Sequence, residues 1–328
     1  MKFHNKKKKS SRGRAKWHAL MTIIAVLMVV GTGCSVGFGQ NSRKNWEKNI
    51  AQETVQVEGL EGEYTLLFLT DTHVVIKDSE VSAQEAEDQE SRYPMFVNAE
   101  GVPAEEQFPE WIQYANEKKV DAVLLGGDII DSPSEANLQW LKEQLEALDM
   151  PYLYINGNHD WTYPWEYMTD MGRERYLPLL EPFMQGNTAF QRLNLGGLVI
   201  LGIDDSTNQV DAQALDRYRE ALMDNRPVIV MAHVPFMTQS ALSKAVEAWN
   251  SPVVIGAGNF GGIYPNEESE KFISLTTAAD SPVELVLAGH VHFYDRDVIE
   301  GEKNVPQVVG AAGYQGNAVL IHITGTEN

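Results

Sequence analysis

The chain has 328 residues, 43% of them apolar, enough for one large core, and a formal net charge of −20. That charge is unevenly spread: residues 1–50 hold 11 Lys/Arg against Glu47 alone, which leaves 15 basic and 45 acidic residues downstream, a body of about −30. Such a field repels polyanions and leaves no basic stripe for a nucleic-acid backbone, and the single cysteine, Cys34, excludes an intrachain disulfide.

In chain order, Lys2, Lys6 to Lys9, Arg12, Arg14 and Lys16 precede an apolar run from Ala19 to Val30, followed by Gly31-Thr32-Gly33-Cys34-Ser35. Residues 1–38 therefore read as a signal peptide or membrane anchor. The 12-residue run suits a signal-peptide core, and counting on through Phe38 gives 20 residues, enough for a spanning helix. The basic residues before the run keep that end cytoplasmic and put the body outside the membrane, so the expected protein is exported, either secreted or held on the extracytoplasmic face. Cys34 after Gly33 stands where a bacterial lipoprotein is acylated, while Gly31 stands where such signals carry Leu; a retained anchor with a small buried thiol is the open alternative. Residues 39–60 read as a polar tether, and 61–328 as one catalytic domain.

From residue 64 onward, short apolar runs alternate with amphipathic stretches. Strands are predicted at Tyr64–Thr70, Asp121–Leu125, Pro151–Ile155, Leu198–Ile203, Pro227–Ala232, Glu284–Ala288, Gln307–Val309 and Ala318–Ile323. Helices are predicted at Ala104–Lys119, Ser134–Leu148, Ala212–Asp224, Leu242–Ala248 and Glu267–Thr277. The alternation argues for an α/β domain. Asp78 to Pro109 is acidic and poorly periodic, the pattern of a mobile loop or small lid. Trp161 to Met171 is aromatic-rich, which fits a pocket wall or a satellite hydrophobic cluster equally.

Five polar motifs follow predicted strands: Asp71-Thr72-His73, Gly127-Asp128-Ile129-Ile130-Asp131, Gly157-Asn158-His159-Asp160, His233, and Gly289-His290-Val291-His292. In an α/β sheet the carboxyl ends of the strands face one crevice, so these distant residues can converge. Carboxylate and neutral imidazole suit borderline metals, and a carboxylate can bridge two ions where an imidazole does not. Asp71 and His73, like His290 and His292, are two apart, and extended backbone would point each pair to one side. Of six histidines beyond residue 50, only His322 falls outside these motifs, which weighs against coincidence. Asp160 reads as loop structure.

The ordered set D-x-H, G-D-x-x-D, G-N-H-D, a separate His and G-H-x-H resembles the calcineurin-like metallophosphoesterases, from about Leu66 to His292. The resemblance implies a two-sheet sandwich flanked by helices, and two metal ions, with Mn, Fe and Zn all compatible with the donors. It places Asp71, His73 and His292 on one ion, Asn158, His233 and His290 on the other, and Asp128 between them. It implies hydrolysis of phosphoesters, monoesters or diesters, by attack of a metal-bridging hydroxide. It implies that His159 protonates the leaving group and that Asp131 holds His159, although Ser132-Pro133-Ser134 leaves Asp131 open as a helix cap.

Departures from the pattern narrow the class. Protein Ser/Thr phosphatases of the family carry Arg where this chain has Ser132 and Asn156, and purple acid phosphatases carry Tyr where it has Asp131. The expected partner is a small phosphoester. A metal-binding cell-surface protein without catalysis is the rival reading, against which the intact His159 and Asp131 stand.

Overall fold

The computed structural model describes residues 46–79, 81–162 and 168–326. The basic N-terminus, the apolar run and Cys34 lie outside the described residues, as do positions 163–167 of the aromatic stretch. Among the described residues no helix is long and apolar enough to cross a membrane.

Two mixed sheets form the body. The first contains β1 (Asn49–Glu58), β2 (Glu63–Leu69), β3 (Ala122–Leu125), β4 (Tyr152–Tyr154) and β11 (Asn317–Thr326), in the order β1-β11-β2-β3-β4. The second contains β5 (Phe190–Leu195), β6 (Leu198–Ile203), β7 (Val228–Met231), β8 (Val283–Ala288), β9 (Asp295–Ile299) and β10 (Val305–Val309), in the order β5-β6-β7-β8-β10-β9. Strands β2, β3 and β4 run parallel, as do β6, β7, β8 and β10, while β11 pairs antiparallel with β2.

Period-two alternation along fully buried strands divides the core into layers. In β2, Leu66 and Phe68 face the second sheet, where they meet Ile200, Ile229, Met231, Leu285 and Leu287. Leu67 and Leu69 face outward against Phe108, Trp111 and Ile112 of α2 (Ala104–Lys118) and Leu141 of α3 (Glu135–Glu146). In β7, Val228 and Val230 pack on Leu215 and Tyr218 of α6 (Ala212–Leu222) and Phe272 of α8 (Glu267–Thr276). A seventh helix in chain order, α7 (Gln239–Trp249), covers Ala288, Val291 and Val309 with Ala241, Leu242 and Ala245. The result is the expected helix, sheet, sheet, helix layering. Truncating Phe68 at its centre would cost about 3–5 kcal/mol.

The structure departs from expectation in four places. The tether expected over 39–60 contains β1, whose Val55 and Val57 enter the inter-sheet core, and Trp46 just before it is buried against α2. The strands β5 and β9 lie at sheet edges and were hidden by their polar residues. The expected loop at 78–109 contains α1 (Ala83–Arg92), a helix with no buried residue and so no apolar stripe, besides the first turns of α2. Two more helices, α4 (His159–Thr162) and α5 (Asp170–Leu180), follow β4, and Trp161 is buried in the core with its Nε1 donating to Ser206 Oγ at 2.8 Å.

Candidate metal centre

Every residue singled out from the strand-end motifs meets at the carboxyl ends of β2, β3, β4, β7 and β8. Asp71, His73, Asp128, Asn158, His159 and His233 are buried, and His290 and His292 are half-buried. The convergence does not arise from extended backbone, as the two-apart spacing suggested. Asp71, His73, Asp128, His290 and His292 all have left-handed backbone, with φ of 52°, 46°, 52°, 69° and 61°. Asp and His tolerate this region better than branched residues do, at a cost on the order of 1 kcal/mol each.

Neighbouring loops hold those backbones in place. The Asp71 and His73 amides donate to the carbonyls of Gly127 and Asp128 at 3.0 and 2.8 Å. The Asp71 carboxylate accepts from the His290 amide at 3.0 Å and from Thr70 Oγ1 at 2.7 Å. The motif glycines serve this same packing: a Cβ on Gly157 would collide with Asp128, and one on Gly289 with Thr70 and Asp71.

Two acids behind the centre do the rest of the holding. Asp160 accepts from the amides of Asp128, Ile129, Ile130 and Gly157 and from the Tyr154 hydroxyl, at 2.6 to 3.1 Å. It lies in the first turn of α4, where the sequence reading placed loop structure. Asp205, which the sequence reading missed, accepts from the amides of His233 and Val234 at 2.7 and 3.1 Å. Its one signal is position, a polar Asp204-Asp205-Ser206 directly after the apolar β6.

The donor atoms fall into three overlapping groups, each with its atoms within 4.8 Å of one another: Asp71, His73 and His292; Asp128, His233 and His290; and His73, Asp128 and His159. Asp128 Oδ2 lies 3.7 Å from His73 Nε2 and 3.3 Å from His233 Nε2. Asn158 Oδ1 joins the second group, 3.1 Å from His290 Nδ1.

The ring nitrogens fit a pair of cations. His233 Nδ1 faces the Gly126 carbonyl at 2.8 Å, which puts its proton there and leaves Nε2, buried and without a hydrogen-bond partner, aimed toward Asp128. His73 Nδ1 faces Asp131 Oδ1 at 3.3 Å, so its Nε2 also presents a lone pair, 3.1 Å from His292 Nε2. The electrostatics ask for positive charge as well. Burial opposes protonation of His233, yet the charge of Asp128 overrides it and lifts the imidazole to about 10. Burial and the neighbouring His233 push His290 down to about 3, leaving it a neutral donor. Burial likewise pushes His73 down.

Asp131 is not a helix cap; the Ser134 side chain caps α3 by accepting from the Asn137 amide. Instead Asp131 Oδ1 faces His159 Nδ1 at 2.9 Å as well as His73. Arg92, from the end of α1, donates to both oxygens of Asp131, and no sequence motif pointed to it. Burial opposes ionisation of Asp131, but the hydrogen bonds from Arg92, then His159 and His73, hold its carboxyl well below the usual range. His159 is raised, since Asp128 and Asp131 outweigh the effect of burial. Aromatic rings fence the centre: Phe96 stacks on His73 at 4.6 Å, and Tyr314 and Trp249 stand edge-on to His292. Ser132 and Asn156 occupy the positions without Arg, and Asn156 Nδ2 donates to the Thr188 carbonyl.

Comparison with known proteins agrees with this geometry. The profile of the calcineurin-like phosphoesterase family matches residues 64–294. An uncharacterized metallophosphoesterase of Helicobacter pylori is 25% identical over 223 residues, 66% of this chain and 50% of its own length. A second, from another strain of that species, is 24% identical over 200 residues, 58% of this chain and 44% of its own. The chain thus spans about half the length of the curated relatives it matches. A purple acid phosphatase from seeds of yellow lupin, Lupinus luteus, shares the fold with a TM-score of 0.52 at 14% identity, over 79% of this chain and 46% of that one.

Proposed function

The chain belongs to the calcineurin-like phosphoesterase family, and from that premise we propose that it hydrolyses small phosphoesters with two metal ions, outside the cytoplasm. Asp71, His73 and His292 would hold one ion, Asn158, His233 and His290 the other, and Asp128 would serve both. The observation that carries this reading is the place of Asp128, one buried carboxylate oxygen facing an imidazole of each group at 3.7 and 3.3 Å. Two cations there would supply Lewis acidity toward phosphoryl oxygens and lower the pKa of water, and Mn, Fe and Zn all accept this donor set.

The chain's own residues carry the remaining steps. His159 has its Nδ1 engaged by Asp131, so the proton stays on that nitrogen and the ring would act on the departing alkoxide through Nε2. Asp131 fixes the tautomer and plane of that ring and, through His73, of a ligand ring too. Asn158 adds a neutral oxygen, which spares an anionic substrate one more negative charge. The buried Phe96 ring, stacked on His73, forms an apolar wall behind that candidate ligand.

Export rests on residues 1–38: basic residues, an apolar run and Cys34, with attachment through a retained helix or a lipid on that cysteine. Fractionation of cells expressing the full chain, with and without Cys34→Ala, tests it; protein recovered in the cytoplasm defeats it. For the activity, purified protein with added manganese should bind about two ions per chain and cleave 4-nitrophenyl phosphate or its diester. Metal-loaded protein that cleaves neither overturns the reading, and a panel contrasting monoesters with diesters then assigns the substrate class.

A further inference from the structure

Arg92 reaches the centre from the insertion that separates Asp71 and His73 from α2. Its side chain is 14% exposed. Nε donates to Asp131 Oδ2 at 2.7 Å and Nη2 to Oδ1 at 2.6 Å, while Nη1 contacts Met95 Sδ at 3.8 Å. Nη2 also lies 3.3 Å from His159 Nδ1. The guanidinium sits over the Phe96 ring at 4.8 Å, and that ring stacks on His73.

The carboxylate between these groups carries an unusual load. One oxygen, Oδ1, faces His73 Nδ1, His159 Nδ1 and Arg92 Nη2 together, while Oδ2 is held by Arg92 Nε. The terminal torsion of an aspartate is soft, so a carboxylate gripped at one oxygen can swing and exchange its two oxygens. A planar fork on both oxygens forbids that rotation, which a lysine, a single point charge, cannot do. We propose that Arg92 is a positioning residue for the leaving-group side of the reaction: by clamping Asp131 it fixes the His159 ring relative to the ligand ring of His73. The same geometry separates it from a phosphate grip, because its nitrogens are already turned to Asp131 and Met95.

This inference rests on the hydrolase reading above, and its test separates the two. The full protein and its Arg92→Ala, Arg92→Lys, His159→Ala and Arg92→Ala/His159→Ala variants are assayed on a 4-nitrophenyl ester, whose leaving group departs without a proton, and on an alkyl ester of the same phosphate class. Metal content is measured beside each assay. Both Arg92 variants should keep their metal and lose about 30-fold in kcat on the alkyl ester, inside the range of general-acid effects, with a clearly smaller loss on the nitrophenyl ester. The double variant should be no slower on the alkyl ester than His159→Ala alone. Arg92→Lys keeps a long cationic side chain at the end of α1, so its loss reads the planar fork and not the charge. Equal losses on both esters, no loss on either, loss of metal, or multiplying losses in the double variant overturn the inference. If the unsubstituted protein cleaves neither ester, the hydrolase reading itself falls.

Discussion

The strand-end loops and the 78–103 insertion approach the same centre and are built by different rules. In the loops, position is set by backbone: five left-handed candidate ligands, amides tied to carbonyls across loops, and Asp160 gathering four amides and a tyrosine hydroxyl. In the insertion, α1 buries none of its side chains, closes its own N-terminus with Ser82 and Glu85, and reaches the centre through Arg92, with Phe96 just beyond. A metal site needs several lone pairs aimed at one point, and a framework that fixes the main chain holds them so. A contribution that only orients an existing group can come from a less buried arm.

The sharpest way to break this contrast is at Asp128, where the two ligand groups touch. Asp128→Asn keeps the shape but removes the charge facing both His73 and His233, and it should lower turnover by more than about 1,000-fold with a matching fall in bound metal. Retained metal stoichiometry in that variant would argue that the ions do not share this carboxylate. Asp160→Ala asks whether the framework matters apart from the ligands. It removes the acceptor of five buried donors without touching a proposed ligand atom, so it should cost roughly 3 kcal/mol of stability, read from denaturant midpoints, and weaken metal binding. A destabilised protein with parental metal affinity would separate the framework from the centre. His159→Ala comes next: about 100-fold in turnover on a poor leaving group with metal retained, measured by kinetics beside metal analysis. Unchanged turnover would remove His159 from the mechanism.

The same contrast explains what the sequence revealed. The eight strands read from apolar runs include every interior strand of both sheets, since burial on two faces leaves a run of Val, Ile and Leu such as Ala122–Leu125. The three that escaped, β1, β5 and β9, are sheet edges; Asp295-Arg296-Asp297 in β9 pairs with one neighbour only and needs no apolar run. The candidate ligands were legible because their types are chemically rare together, but their left-handed backbone was not, since nothing in Asp-Thr-His or His-Val-His requires positive φ. Arg92 was illegible for a different reason. It stands 39 residues before Asp131 in an acidic stretch without periodicity, and only the folding of the insertion brings the two together.

Ser82→Ala gives the smallest expected effect and tests the insertion's side of the contrast. Ser82 Oγ accepts from the Glu85 amide at 3.2 Å, and Glu85 Oε2 accepts in return from the Ser82 amide at 3.0 Å. Losing that box should cost about 1 kcal/mol within α1 and speed amide exchange in its first turn, with global stability unmoved because the helix adds no buried side chain. Arg92 sits at the opposite end of the helix, held by Asp131 and not by the cap. Turnover on the alkyl ester should therefore stay at the parental value while exchange rises. A loss like that expected for Arg92→Ala would mean that the whole helix, and not its last residue, sets the carboxylate, and the division between framework and arm would move outward to include α1.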